Sequence, residues 1–143
     1  MRLVFLFLSA LALSACGSSP SAPTPPPPPP PAQVAGAWSG TFESNYSPEA
    51  VFVDLTQVSA TVTGTWAMTS GVRAIGNISG TVDTSQFTGT ITYNYTDGPT
   101  CQASFSGTAS ATTLVWTSPG FTGNCGLSAP GNPTNARFVL QRR

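Results

Sequence analysis

The sequence contains no histidine, and its five basic residues are all arginine, so lysine is absent too. Without imidazole or amine side chains the chain cannot build a Ser–His triad or a lysine Schiff base. Only 7% of the 143 residues are charged. Nucleic-acid binding needs clustered Lys and Arg to meet the phosphate charges. We therefore expect a protein that is not an enzyme, carries no cofactor and binds no nucleic acid.

The few carboxylates form no convincing site. Glu43 and Asp54 fall on neighbouring predicted strands and are the one pair to consider for glycoside hydrolysis. Both face outward in the predicted register, where carboxylates are ordinarily just solvated. Asp83 and Asp97 each stand alone, whereas a calcium site needs several oxygen ligands together. No metal site is expected.

Helical spacing is also missing, and the dominant pattern is a five-residue cassette. It consists of an apolar residue, Ser or Thr, Gly, Thr and a second apolar residue, and it occurs five times, at 38–42, 62–66, 78–82, 87–91 and 105–109. This alternation predicts β-strands with one buried and one solvated face. A glycine on the inner face suits a strongly bent sheet, which has no room for a side chain at its tightest point.

The same alternation, followed along the chain, predicts eight strands. They are 37–43, 51–58, 61–68, about 72–82 with Gly76 as a candidate bulge, 87–95, 101–108, one around Leu114 and Trp116, and one around Phe138 and Leu140. Short connections favour an up-and-down antiparallel order. Closing the sheet removes its open edges. We expect an all-β, eight-stranded antiparallel up-and-down barrel, with a two-sheet β-sandwich as the alternative. Its lumen would be lined by Trp38, Phe42, Gln57, Trp66, Tyr93 and Trp116.

The N-terminal sequence predicts where the protein is located in the cell. After a basic start, the apolar run over 3–13 is too short for a spanning helix. It ends in Leu13-Ser14-Ala15-Cys16, which resembles the lipobox of bacterial lipoproteins. That resemblance implies a signal peptide over 1–15, acylation of Cys16 and a lipid anchor in the bacterial cell envelope. A cysteine that merely follows an ordinary signal peptide is the alternative.

The residue after the cysteine indicates which membrane would carry the lipid anchor. Gly17 stands where some lipoproteins carry the Asp that retains them at the inner membrane. In a cell that has an outer membrane, the resemblance therefore implies that membrane. Several acyl chains give stable anchoring, because each buried CH₂ contributes about 0.8 kcal/mol.

Residues 16–36 predict a linker between the lipidated cysteine and a domain at 37–143. Seven consecutive prolines at 25–31 cannot join a helix or sheet. Such a segment adopts polyproline II at ~3.1 Å per residue, giving a stalk roughly 40–50 Å long. A docking peptide for a proline-binding domain is the alternative, but the flanking Arg or Lys typical of such peptides is missing.

The up-and-down order sorts the loops between two ends. We call the end where the linker enters and Arg142 lies the stalk end. The opposite end, the loop end, collects 44–50, 69–71, 95–99 and 118–135. Cys101 and Cys125 both fall there, which predicts a disulfide. Closing about 25 residues contributes roughly 3 kcal/mol in the loop-entropy model. The loop end would present a binding rim of Tyr46, Glu49, Asp97, Phe121, Asn124 and Asn132.

The short Gly-Thr strands and the stretch 113–117 resemble the strand pattern of avidins and, more loosely, of lipocalins. These are small β-barrels that bind ligands inside, so the resemblance implies a barrel that could hold a small apolar ligand. Avidins surround biotin with hydrogen-bonding residues of their first strand and its loop. The stretch 38–41 does not reproduce that arrangement, so no biotin site is transferred.

Two functional hypotheses follow. The first is a membrane-anchored envelope lipoprotein whose barrel is a non-catalytic interaction module, contacting a protein or glycan through its membrane-distal loops. The alternative is a binder of a small apolar ligand that uses the barrel interior. A filled interior favours the first hypothesis, and an empty apolar cavity of a few hundred Å³ favours the second.

Overall fold

The structure is a computed structural model that describes residues 22–69, 74–95, 100–127 and 131–143. Their regular secondary structure consists of β-strands, and none of these residues is helical. Across the same four ranges, no helix has the length and apolar character needed to cross a membrane. The strands are β1 (Gly36–Glu43), β2 (Glu49–Val58), β3 (Thr61–Met68), β4 (Ala74–Asp83), β5 (Gln86–Tyr95), β6 (Thr100–Ala109), β7 (Thr113–Gly120), β8 (Thr122–Gly123) and β9 (Thr134–Arg142).

Eight of these strands close into an antiparallel barrel. Each strand from β1 to β6 pairs with the next, β7 pairs with β9, and β9 pairs with β1. The two-residue β8 lies outside this ring and pairs with the start of β6. Pairing of the first and last ring strands confirms the predicted barrel and excludes the sandwich. The six strands whose bounds were predicted begin and end within two residues of the observed bounds.

The cassette glycines lie where the wall has no space for a side chain. An ideal Cβ added to Gly107 would lie 2.0 Å from the carbonyl oxygen of Val115 and 2.6 Å from the Cβ of Trp116. Gly80 and Gly89 face each other across β4 and β5, and a Cβ on Gly89 would lie 2.6 Å from the Cα of Gly80. Heavy atoms cannot approach so closely, so these positions require glycine, as the bent-sheet argument predicts.

The predicted bulge at Gly76 is wrong. On one side of it Ile75 faces Asn94, and on the other Ile78 faces Ile91. Three steps along β4 therefore match three steps along β5, and no residue is inserted in either strand. A glycine within a period-two pattern marks a position where a side chain would not fit. The sequence alone does not show which neighbouring group takes up that space.

The space at Gly76 is taken by the indole of Trp66 on β3. Its Nε1 donates a hydrogen bond to the carbonyl oxygen of Thr92 on β5, at 2.8 Å. A Cβ on Gly76 would lie 2.4 Å from that nitrogen and 1.8 Å from that oxygen. The missing side chain thus lets a buried tryptophan bond to the backbone two strands away.

Residues 32–35 close the stalk end of the barrel. Val34 is 0% exposed and belongs to the core, and its carbonyl oxygen accepts a hydrogen bond from Trp38 Nε1 at 2.9 Å. Gln57 holds the same segment from β2. Its Oε1 accepts from the Val34 amide at 2.7 Å, and its Nε2 donates to the Ala32 carbonyl at 3.0 Å. These residues, assigned by sequence to the linker, pack as part of the domain.

Arg142, on β9, also holds residues 32–35, from the side opposite Gln57. Its guanidinium donates to the carbonyl oxygens of Ala35 at 2.6 Å and Gln33 at 2.7 Å. The same group lies 4.4 Å from the ring centroid of Trp38. The linker therefore enters the domain as a fixed plug, and the folded unit begins near Ala32 rather than at the predicted boundary of 37.

Cys101 and Cys125 form the predicted disulfide, with Cα atoms 4.9 Å apart. Both are buried. The bond ties the start of β6 to the segment that follows β8, at the loop end. It therefore fixes part of the longest connection of the barrel, which runs from β7 to β9.

Candidate functional site

The loop end carries a pocket of about 140 Å³ at the mouth of the barrel. Its floor is the inner face of the wall, and its sides come from the loops. Tyr46 and Glu49, two of the predicted rim residues, take part in it. The lining residues are Phe42, Tyr46, Ser47, Glu49, Met68, Tyr93, Leu127 and Pro133.

The loop between β1 and β2 is held in place by its own side chains. The phenol of Tyr46 donates a hydrogen bond to the carbonyl oxygen of Gly131, before β9. Asn45 pairs with the first residue of β9: its amide donates to the Thr134 carbonyl at 3.2 Å, and its Oδ1 accepts from the Thr134 amide at 2.8 Å. This side of the pocket is thus anchored to a barrel strand.

Phe121 is not the solvent-facing rim residue that the sequence predicted. It is only 5% exposed, and its ring packs against Tyr93 with centroids 5.6 Å apart. Its amide donates to the Pro133 carbonyl at 3.0 Å, which turns the chain after β7 back over the barrel mouth. An aromatic ring in that position gains more by covering the core than by facing water.

Asn132 and Asn124 have different roles in the same segment. Asn132 is half-buried, and its amide braces the loop: Nδ2 donates to the carbonyls of Phe121 at 3.1 Å and Gly123 at 2.8 Å, and Oδ1 accepts from the Cys125 amide at 3.2 Å. Asn124 is exposed, and its Oδ1 caps a turn by accepting from the Gly126 amide at 2.9 Å. Asn132 therefore shapes the rim, whereas Asn124 remains accessible at its surface.

Two predicted residues fall outside the described chain. Cys16, the expected lipidation site, precedes residue 22, and Asp97 lies in the undescribed stretch 96–99. Their roles stay predictions.

The predicted lumen residues are buried in a packed aromatic core. Trp66 lies between Phe42, Tyr93 and Phe138, with ring centroids 5.6–6.2 Å apart. Trp116 stacks on Phe138 at 4.9 Å. Farther along the axis it meets Phe87 at 5.5 Å and Phe105 at 5.4 Å. These rings occupy the barrel interior from the mouth pocket inward.

Gln57, the one polar residue predicted to face the lumen, does not point into an open cavity. Its side chain is engaged by the plug at 32–35 and by the carbonyl of Ser59, to which Nε2 donates at 2.9 Å. The role of Gln57 is therefore to hold the linker segment. No signal in the sequence links it to Val34, because the linker composition hides that contact.

The carboxylates considered for glycoside hydrolysis are far apart. Asp54 faces Ala37 across β1 and β2, six residues along β1 from Glu43. At ~3.3 Å per residue this separates them by roughly 20 Å, whereas paired glycosidase carboxylates lie within about 10 Å. Glu43 instead bonds Arg137 at 3.1 Å on the surface. Among the described residues, no three His, Cys, Asp or Glu side chains lie together as a metal-binding group.

Comparisons of the chain with models of protein families, with curated proteins and with solved structures found no match. The resemblances to bacterial lipoproteins and to avidins therefore stay predictions from sequence.

Proposed function

We propose that this protein is a lipid-anchored envelope lipoprotein whose barrel binds a partner macromolecule through the pocket at its loop end. The observation that carries the proposal is the contrast between the two ends of the lumen axis. The interior and the stalk end are filled by the protein's own side chains, and the loop end keeps an open pocket.

The filled interior supports a surface role. Eight-stranded barrels either pack their lumen with side chains or leave room for one small ligand. Here Trp66, Trp116 and Phe138 form one continuous ring cluster, and Val34 plugs the far end. A ligand deep inside would have to displace these rings.

The pocket has the chemistry of an anchor site. Phe42, Met68 and Leu127 provide apolar walls, and Glu49 places a carboxylate at the edge. Protein interfaces concentrate their binding energy where an apolar anchor enters a desolvated pocket. A protruding apolar group would be complementary to these walls.

The position of the linker also supports binding of a partner at the loop end. Residues 32–35 are fixed at the stalk end, opposite the pocket. If Cys16 carries the lipid, a stiff proline segment then holds the barrel off the membrane with the pocket pointing away from it. This geometry suits a protein that binds a partner located in the envelope or outside it.

In-cell photo-crosslinking tests the proposal. A benzophenone amino acid is introduced at Asn124, exposed at the loop end, or at Ala111, exposed at the stalk end. We expect a discrete adduct from Asn124 that is missing from Ala111. Equal adducts from both positions, or none from Asn124, would contradict a loop-end partner.

One observation favours the alternative, a small ligand inside the barrel. Trp116 Nε1 is buried and has no hydrogen-bond partner within the described part of the chain. An unpaired buried donor costs about 1–3 kcal/mol, and a small acceptor beside it would remove that cost. Native mass spectrometry of the protein purified from its own host separates the cases, because an interior ligand adds a mass that is lost on denaturation.

A further inference from the structure

A second recess lies on the outer wall of the barrel, on β2 to β5 near the loop end. It has a volume of about 300 Å³, at the lower end of the range for small-molecule sites. Apart from Trp66, which reaches it from the inside, its side chains face away from the lumen, and it shares no residue with the mouth pocket. Its lining residues are Phe52, Asp54, Thr65, Trp66, Ala67, Ile75, Gly76, Asn77 and Asn94.

One side of this outer groove is an apolar row that crosses three strands. Phe52 faces Ala67, and Ala67 faces Ile75. Ile75 is 55% exposed, and among the described residues only Val58 is a comparably exposed large hydrophobic side chain. Behind the row, the glycine at position 76 leaves the edge of the Trp66 indole as part of the floor. An exposed apolar row beside a recess is typical of a binding surface.

The other side contains an unsatisfied polar atom. Asn94, which faces Ile75, has a buried Oδ1 with no hydrogen-bond donor in the described ranges. Such an atom costs about 1–3 kcal/mol, and native structures keep few of them, usually for a reason. A ligand that supplies a donor at this point would complete the site.

The charge of the lining residues and the pairing of the surrounding strands limit which ligands could bind in the groove. Asp54 is the one charged residue of the lining, and Arg143 lies 4.0 Å from it and 4.9 Å from the ring centroid of Phe52. Among the described residues, the charge of the lining is therefore balanced. The strands around the groove are paired on both sides, so a peptide has no free strand edge to extend.

We infer that this outer groove binds a neutral sugar unit of a glycan. A pyranose ring has an apolar C–H face that can lie against Ile75 and Ala67, beside the Phe52 ring that Arg143 covers. It also has hydroxyl groups that can reach Thr65 and Asn77, and one of them can donate to Asn94 Oδ1 when that buried amide turns toward the groove. This inference goes beyond the proposed partner at the mouth pocket and does not depend on it, because the two sites use different residues.

An NMR titration of the full chain, in a detergent without a sugar headgroup, tests the inference. The probes are methyl glycosides of glucose, galactose, mannose and N-acetylglucosamine, and soluble oligomers of glucose and N-acetylglucosamine. We expect at least one to shift the Trp66 indole and Asn94 side-chain amide signals saturably. Ile75→Ser and Asn94→Ala should weaken that binding at least tenfold, and the matched control Val58→Ser should not.

The stability of Asn94→Ala gives a second readout. Because Oδ1 accepts no hydrogen bond from any described residue, this variant should unfold at the same or a higher denaturant concentration than the wild type. A marked loss of stability would assign Asn94 a structural role and overturn the inference.

Three titration outcomes would also overturn it. The first is that no probe shifts these signals, and the second is that Asn94→Ala binds as tightly as the wild type. The third is that the signals shift with protein concentration alone, which would make a second copy of this chain the occupant. Loss of the sugar site would leave the crosslinking test at Asn124 unaffected.

Discussion

The Trp66 indole donates its hydrogen bond to the Thr92 carbonyl across the position where Gly76 has no side chain. Gly76→Ala should therefore be strongly destabilising, because its Cβ would lie 1.8 Å from that carbonyl oxygen. Overpacking of this kind typically costs about 1–3 kcal/mol. Denaturant unfolding measures the change, and the exposed Thr81→Ala on the same strand is the control, expected within about 0.5 kcal/mol of wild type. A Gly76→Ala variant as stable as the control would show that the wall is not closely packed there.

Gln57→Ala should release the plug at the stalk end. The substitution leaves the Val34 amide and the Ala32 carbonyl without their partners, at a cost of about 1–3 kcal/mol. Hydrogen exchange at the Val34 amide should accelerate in the variant. Gln141→Ala, exposed on the last strand, serves as the control. Unchanged protection of Val34 in Gln57→Ala would mean that the glutamine does not hold this segment.

Truncation locates the start of the domain independently. A chain that begins at Ala32 should melt at the temperature of the longer protein, because the plug is intact. A chain that begins at Ala37 lacks Val34, which is buried in the core, and should melt several degrees lower. Equal melting temperatures for the two would return the boundary to 37.

Replacing both Cys101 and Cys125 by serine should lower the free energy of unfolding by about 3 kcal/mol, because the bond closes a loop with a sequence separation of 24. Reductant should shift the wild type by a similar amount and leave the double variant unchanged. A wild type insensitive to reductant, with a stable double variant, would show that the β7–β9 connection is held by its packing alone.

Cys16→Ser should abolish lipid attachment, since the thiol is the predicted acylation site. Metabolic labelling of the full chain with a fatty acid reports this. The double Cys101→Ser, Cys125→Ser variant controls for loss of thiols elsewhere and should remain lipidated. A Cys16→Ser protein that still incorporates the fatty acid would remove the lipoprotein assignment.

The barrel could be predicted because its signal is local. Trp38, Phe42 and Trp66 occupy alternate positions between hydroxyl residues, and period two fixes the face of a strand without any knowledge of its neighbours. The disulfide could be predicted from the strand order, since an up-and-down order places Cys101 and Cys125 at the same end of the barrel.

The missed features depend on contacts between distant parts of the chain. Val34 sits among Ala, Gln and Pro, which gives no pattern, and only its burial beside Gln57 shows its role. Phe121 follows a strand end, where periodicity stops, so its inward direction was not predictable. The outer groove is assembled from four strands, and only their adjacency shows that Asn94 Oδ1 lacks a donor among the described residues.

A crosslinking comparison decides whether the mouth pocket binds a partner. The benzophenone residue at Asn124 is used in cells with either the native pocket or Leu127→Glu, which places a charge in the apolar wall beside Glu49. We predict a discrete adduct with the native pocket and its loss with Leu127→Glu, in a variant that remains folded and membrane-associated. An adduct of equal yield in both, or one formed equally from Ala111, would contradict it.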